Sequence, residues 1–448
     1  MRRLPKAPSR LESSELLNKL AHNPHFRELV STASPTLPDS RYLHWDELRH
    51  REPPSGVTLE DWWAAIRYQR VTRQVIVPPL VEAYREPFSY VDLPQIQQAL
   101  HNFDRTNVAS VLLTALGDED TLDEYRVRQL IEEAISSSIV EGAKPTTREQ
   151  ARAMVTEQRE PASPDERMIL NNWRAMRRIL ELHQQGSDLT LDDLLELHRI
   201  LGEDALDTPG VEGRLRCEAD VVEVADPEGN VWHIPPPAAG IETRIRALLR
   251  FANGTEAGPF IHPVLRAIIC HFWLGYEHPF RDGNGRMARA LYYWCMLRHG
   301  YDMAEFLSIS GPIDRSPTAY YMAFAYTETD EGDLTYFILH QLEVMQQALR
   351  ELIAHLERRA KRLRNLEQTV ADFDELNHRQ RTLLQHTVRH PRASYTIKGH
   401  AASHRVHYQT ARTDLLDLVE RGFFEQRRVG KGKRFFASPR FAKRAPRR

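Results

Sequence analysis

Cysteine is scarce in this chain. Its 448 residues hold three, Cys217, Cys270 and Cys295. They lack metal-ligand spacing and are too few for a disulfide framework, which fits a reducing cytoplasm. Long apolar runs are missing as well. No stretch approaches the length of a bilayer span. The N-terminal MRRLPKAPSRLESSELLNKL is basic without an apolar centre, so no signal peptide is expected. An excess of one charge is absent too: the net charge is -2, so bulk charge points to neither nucleic acid nor membrane, and only its distribution is informative. What is present is 41% apolar residues, enough for a sizeable core, and a length that suits two or three domains. A soluble cytoplasmic protein is expected.

Most of the chain has helical periodicity. Apolar residues recur at three- and four-residue spacing over 123–140, 166–183, 191–202 and 263–278. A helix starting near Asn284 would turn Met287, Leu291, Trp294 and Cys295 to a core. The stretch 217–237 differs. Its β-rich runs flank Asp226-Pro227-Glu228-Gly229-Asn230 and predict a hairpin, closed off by three prolines. In the first ninety residues, YLHWDELRH and LEDWWAAIRYQR suggest a small helical subdomain with Trp62 and Trp63 in its core or docking face.

Beyond residue 333, Ile338, Met345 and Leu352 recur every seven residues. Leu342, Leu349, Leu356, Leu363 and Val370 interleave with them, while Arg359 breaks the first series. Such a seam serves either a long helix packed on its own domain or a connecting, homodimerising one. The last seventy residues give three helices and a basic two-stranded wing, resembling a winged helix-turn-helix. From Arg421 onward the only acid is Glu425. That basic end suits DNA phosphates, although such domains also mediate protein contacts.

The densest chemistry lies in HPFRDGNGRMAR, His278 to Arg289. Asp-Gly and Asn-Gly are hairpin signals, but the helical pattern that follows excludes a hairpin. A calcium loop would need an acid eleven residues after Asp282, where Tyr293 stands. The remaining reading is a loop feeding a helix N-terminus, where glycines admit a ligand and free N–H groups favour an anion. Arg286 and Arg289 share a helix face and can fork onto phosphate oxygens. Asp282 is placed to hold a divalent metal bridging phosphates, and His278 to act as a general base.

This stretch resembles the signature of the Fic family, His-x-Phe-x-(Asp/Glu)-Gly-Asn-Gly-Arg-x-x-Arg, at every fixed position. The resemblance implies transfer of AMP from ATP to a protein hydroxyl. His278 would deprotonate a target Ser, Thr or Tyr, and Asp282 would coordinate Mg²⁺. Gly283, Asn284 and Gly285 would form the anion hole, Arg286 and Arg289 would hold the β- and γ-phosphates, and Phe280 would point into the core. SSIVEG, Ser137 to Gly142, resembles the family's inhibitory motif, in which the glutamate, here Glu141, pairs with the second signature arginine, here Arg289. That arrangement implies autoinhibition in cis. The hairpin falls where the family has its target-docking flap, with Val221, Val222, Glu223 and Val224 as the docking strand. AYYMAF resembles the adenine-side helix, so Tyr320 and Tyr321 would line the base pocket or simply pack in the core. His262 and His271 are expected to be structural.

The fold expected is therefore mainly α: a Fic-type helical bundle with one β-hairpin flap and a small C-terminal winged helix-turn-helix domain. The expected divisions are 1–90, a catalytic core over 91–350 with the inhibitory helix at about 122–142, a connecting helix over 333–370, and the winged unit over 374–440. The expected partners are ATP, a target protein, the chain itself, DNA through the winged unit and a second copy, with no membrane. The competing functions are removal of AMP or transfer of another nucleotide at the same site, and a DNA-binding regulator with a nucleotide-sensing core.

Overall fold

The computed structural model describes residues 4, 7–8, 13–81, 87–106, 119–144, 148–206, 208–225, 229, 231–256, 258–371, 373, 375–390, 393–429 and 432–442. Two compact units form, residues 1–106 with 125–349, and 107–124 with 350–448. No described helix is long and apolar enough to cross a membrane.

Helices α1 (Ser13–His22), α2 (Pro24–Thr32), α3 (Trp45–Leu48) and α4 (Leu59–Val71) open the first unit. Asn23 and Thr58 cap α2 and α4, accepting from the Phe26 and Asp61 N–H groups at 3.0 and 3.1 Å. Trp63 is buried against Leu48 and Ile66, with Trp62 packed beside them, so both tryptophans serve the core. Strands β1 (Gln74–Val81) and β2 (Pro87–Val91) then pair antiparallel. The sequence reading placed no hairpin here. The prolines at 78 and 79 argue against a central strand, but a two-stranded ribbon has only edges, where a missing N–H is tolerated.

Next come α5 (Pro94–Arg105), α6 (Glu119–Val140), α7 (Arg148–Glu157), α8 (Pro164–Gln185) and α9 (Leu191–Gly202). A short hairpin of β3 (Val224–Ala225) and β4 (Val231–His233) leads into α10 (Ile241–Asn253), α11 (Pro263–Glu277) and α12 (Asn284–Arg298). α11 and α12 form the centre of the unit. α12 is buried along nearly its whole length, including Arg286 and Arg289. A helix covered on all sides can carry arginines only where they have partners or a ligand. After a 3-10 turn (Asp302–Phe306) follow α13 (Ser310–Arg315), α14 (Pro317–Thr329) and the long α15 (Thr335–Ala371). Arg67 of α4 is ion-paired with Asp330 and Glu331, and Arg70 donates to the Tyr336 hydroxyl at 2.8 Å, which ties the N-terminal helices to the α14–α15 turn.

One expectation needs correction. The hairpin is shorter than the β-rich sequence suggested: Val221, Val222 and Glu223 lie outside it, and only Val224 of the expected docking strand is paired, with His233. Its turn residues 226–228 and 230 lie outside the described residues. The heptad seam is buried within the chain, at Ile338, Leu342, Met345, Leu349, Leu352, Leu356 and Val370. The side chains of Arg359 and Leu363 lie outside the described residues.

In the second unit, α16 (His378–Arg389), strand β5 (Ser394–Tyr395), α17 (Ile397–His404) and α18 (Tyr408–Glu420) precede the ladder of β6 (Phe424–Val429) and β7 (Gly432–Ala437), and α19 (Pro439–Ala442) follows it. The sheet order is β5-β7-β6. Leu384, Leu415, Leu418, Phe424 and Phe435 form the core of the unit. Asp414 joins its helices, accepting from Asn377 at 2.7 Å and from Arg379 at 2.7 Å.

Candidate active site

The site is built on the turn between α11 and α12. His278 ends α11 in the left-handed region, φ 46°, a strained position for a residue with a Cβ. Its surroundings hold it there. Arg216 donates through Nε to the His278 carbonyl at 2.7 Å and through Nη2 to the Glu277 carbonyl at 3.2 Å, while its own N–H donates to the Pro279 carbonyl at 2.9 Å. The Asn284 side chain closes the loop: its Oδ1 accepts from the Phe280 N–H at 2.9 Å and its Nδ2 donates to the Phe280 carbonyl at 2.8 Å. Phe280 is fully buried and stacks on the His198 ring, centroids 3.7 Å apart. His198 reaches the same loop, donating through Nε2 to the Asp282 carbonyl at 2.9 Å and accepting the Gly213 N–H on Nδ1 at 2.9 Å.

The sequence reading missed Arg216 and His198. Both act through backbone atoms distant in sequence, and neither carries a local signal.

Hydrogen bonding fixes the protonation of these rings. The Gly275 carbonyl, 3.0 Å from His278 Nδ1, can only accept, so Nδ1 carries the hydrogen and Nε2 is the basic atom. Burial pushes the His278 pKa down to about 4, and the positive charge on nearby His233 acts in the same direction. His278 is thus a neutral imidazole across the physiological range. Burial likewise takes His198 to about 4, which suits its one-donor, one-acceptor arrangement.

α12 starts at Gly283, φ 78°, which serves as N-cap, and the Met287 N–H makes the first helical bond back to its carbonyl at 3.0 Å. The preceding N–H groups face the mouth of the loop. The Glu141 carboxylate, just beyond the end of α6, lies against the first turn of α12, so close to Gly285 that a Cβ there would collide with it.

Arg289, one turn further, is buried and donates through Nη2 to Glu141 Oε1 at 2.9 Å and to the Ser137 carbonyl at 2.9 Å, and through Nε to Ser137 Oγ at 2.8 Å. Burial works against its charge, but the Glu141 carboxylate together with Tyr320 and Glu133 outweighs it and the pKa is raised. Arg289 Nη1 is buried without a partner among the described residues. Gly142, φ 96°, follows the end of α6. Arg286 is also buried, and its Nη1 donates to the Leu201 carbonyl at 3.1 Å.

Asp282 is partly exposed, with Oδ1 accepting the Gly283 N–H. The described residues contain no cluster of three or more side chains able to hold a metal. One carboxylate cannot bind Mg²⁺ alone, but Asp282 with substrate phosphates would fit the usual sharing of that ion between protein and nucleotide.

Tyr320 is buried, its hydroxyl 2.8 Å from His271 Nε2, whereas Tyr321 is 41% exposed. Burial raises the pKa of both hydroxyls, and the Glu141 and Arg289 charges act on both. His271 is fully buried, and His262 caps α11 by accepting from the Val264 N–H at 3.3 Å. Val221 is 90% exposed ahead of the flap.

A model of the Fic/DOC family matches residues 188–296. The protein adenylyltransferase Fic of Nematostella vectensis is 34% identical over 121 residues, 27% of this chain and 26% of the relative. That of Drosophila melanogaster is 32% identical over 137 residues, 30% and 25% of the two chains. The chain thus spans about a quarter of the length of the curated relatives it matches. Among solved structures, a Fic family protein from Desulfovibrio desulfuricans aligns with TM-score 0.49 and 20% identity over 78% of this chain and 98% of that one. A Fic domain containing signaling protein from Bacteroides thetaiotaomicron aligns with TM-score 0.45 and 17% identity over 59% and 96%. Residues 188–296, the segment that matches the Fic/DOC family model, hold the short hairpin, His278 and both signature arginines.

Proposed function

We propose that the chain transfers AMP from ATP to a hydroxyl of a target protein, itself included, and that Glu141 restrains this activity in cis. The observation that carries the reading is the Glu141 carboxylate seated on Arg289 at the N-terminus of α12, a few residues from a neutral, oriented His278. In the reaction, His278 Nε2 takes the proton of the acceptor hydroxyl. The oxygen bonds to the α-phosphorus, the bond from that phosphorus to the bridging oxygen breaks, and pyrophosphate leaves. Arg289 and the N–H groups of α12 offset the phosphate charge once Glu141 has withdrawn. Asp282 would share Mg²⁺ with the phosphates, and the ion would neutralise charge on the leaving group. The exposed Val221 next to a short hairpin suits an extended target segment adding to the flap.

The test is intact mass after incubation with ATP and Mg²⁺. The gain of one AMP should be weak in the native chain, strong in Glu141→Gly and absent in Glu141→Gly with His278→Ala. No gain in any of the three would overturn the transferase reading.

A second reading concerns DNA and rests on the second unit. The exposed residues at the start of α18, Tyr408, Gln409, Thr410, Arg412 and Thr413, include no acid. Nearby acids are engaged: Asp417 bonds Arg421 at 2.9 Å and Glu425 bonds Arg427 at 3.1 Å. Exposed Arg428, Lys433 and Arg434 line the β6–β7 ladder. We infer a winged helix that lays α18 in the major groove and the ladder along the backbone. Fluorescence anisotropy on labelled duplexes tests it; affinity independent of salt would exclude it.

The cytoplasmic location remains part of the proposal, suited by three free thiols.

A further inference from the structure

The flap is attached to the site by a residue that neither its length nor its pairing would supply. Strands of two and three residues cannot hold a hairpin in place by themselves. His233, the last residue of β4, supplies the anchor. Its Nδ1 lies 2.7 Å from Glu328 Oε2 on α14, and its Nε2 lies 2.7 Å from the Tyr276 carbonyl in the last turn of α11.

A carbonyl and an ionised carboxylate can only accept, so both ring nitrogens carry hydrogen and His233 is an imidazolium. His198, which accepts the Gly213 N–H on Nδ1, is neutral by the same reasoning, whereas His278 is kept neutral by burial. The His233 ring centroid lies 6.3 Å from that of His278, and Tyr276 precedes the base by two residues. The C-terminus of α11 also favours a cation at this place.

We infer that His233 is a positioning residue: bound to Glu328 and the Tyr276 carbonyl, it clamps the flap beside His278 and keeps next to it a positive charge that disfavours protonation of the base. Its use in AMP transfer rests on the function proposed above; the clamp itself does not. The other charged groups facing this corner are Glu277, which bonds Arg244 at 2.8 Å, Arg216 on the flap's approach, and Glu141. Burial lowers the His233 pKa and the Glu328 bond raises it, with the net shift upward. Like charges at this separation shift a titration by on the order of one pH unit.

Two variants separate charge from tether. In Glu328→Gln the amide can donate to Nδ1, leaving His233 neutral but still donating to Tyr276. His233→Ala removes both. The measurements are NMR titration of the His278 ring and hydrogen exchange of the 222–225 and 231–234 amides, on the full chain without nucleotide. In Glu328→Gln the His278 midpoint should rise by about one unit with flap exchange little changed. In His233→Ala the midpoint should rise and flap exchange should accelerate at least about tenfold. A His278 midpoint unmoved in Glu328→Gln would overturn the inference even if His233→Ala failed to fold, and so would unaltered flap exchange in a folded His233→Ala. Neither readout needs AMP transfer, so an inactive Glu141→Gly chain would sink the transferase reading and leave this result standing.

Discussion

The Glu141 carboxylate and the Arg289 guanidinium meet at 2.9 Å in front of the N-terminus of α12, with Arg289 1% and Glu141 25% exposed at the side chain. One partner is fixed in the core and the other comes from a helix end just before a glycine. The pair can therefore open by moving Glu141 alone.

Removing that carboxylate should release the site. A buried Arg–carboxylate contact costs a few kcal/mol to open, and about 2.7 kcal/mol corresponds to roughly a hundredfold in rate. Glu141→Gly should raise AMP incorporation by that order, measured with labelled ATP. Unchanged incorporation in a folded variant would exclude the inhibitory role.

Ser137 should matter less and in the same direction. Its hydroxyl accepts from Arg289 Nε at 2.8 Å, and a hydrogen bond to a charged group contributes roughly 1.5–3 kcal/mol, part of which the Ser137 carbonyl retains. Ser137→Ala should raise incorporation roughly threefold to tenfold, less than Glu141→Gly. A fall in incorporation would show that Ser137 serves catalysis instead.

The pH profile follows from His278. Its folded pKa is depressed to about 4, so the basic form is complete well below neutrality. In Glu141→Gly the nearby negative charge that favours the protonated ring is also gone. The transfer rate should therefore stay flat from roughly pH 5.5 to 7.5 and fall only as the pH approaches the folded pKa. An ascending limb centred near 6.5, the ordinary histidine value, would contradict the neutral, buried base.

Asn284 should behave as a structural staple. It satisfies both backbone groups of Phe280, and Asn284→Ala would strand a buried N–H and a buried carbonyl. A loss of roughly 2–4 kcal/mol is expected in urea unfolding, with transfer activity lost at temperatures where the chain is still folded. Native stability in this variant would mean that the loop is held by other contacts.

His198→Ala removes a stacked ring and two loop hydrogen bonds together. Roughly 2–4 kcal/mol of stability should disappear. AMP incorporation by the Glu141→Gly chain should fall as well, because the Asp282 carbonyl loses its tether. Intact incorporation would confine His198 to the core.

The sequence by itself determined the helical content, the loop before α12 and the residue types within it. Periodicity is local, and His278, Asp282 and the two arginines lie within a dozen positions of one another. It also placed a carboxylate in a helix-ending stretch far upstream. Only the tertiary structure decided the rest. Whether Ile338 to Val370 faced a partner or the core depended on what packed against α15, and a seven-residue repeat is the same in both cases. Arg216, His198 and His233 became part of the site by reaching backbone atoms 43 to 84 positions away, and no local pattern encodes such a contact. The protonation of each histidine, neutral at 198 and 278 and charged at 233, was set by burial and by whether its neighbours accept or donate, which folding alone determines.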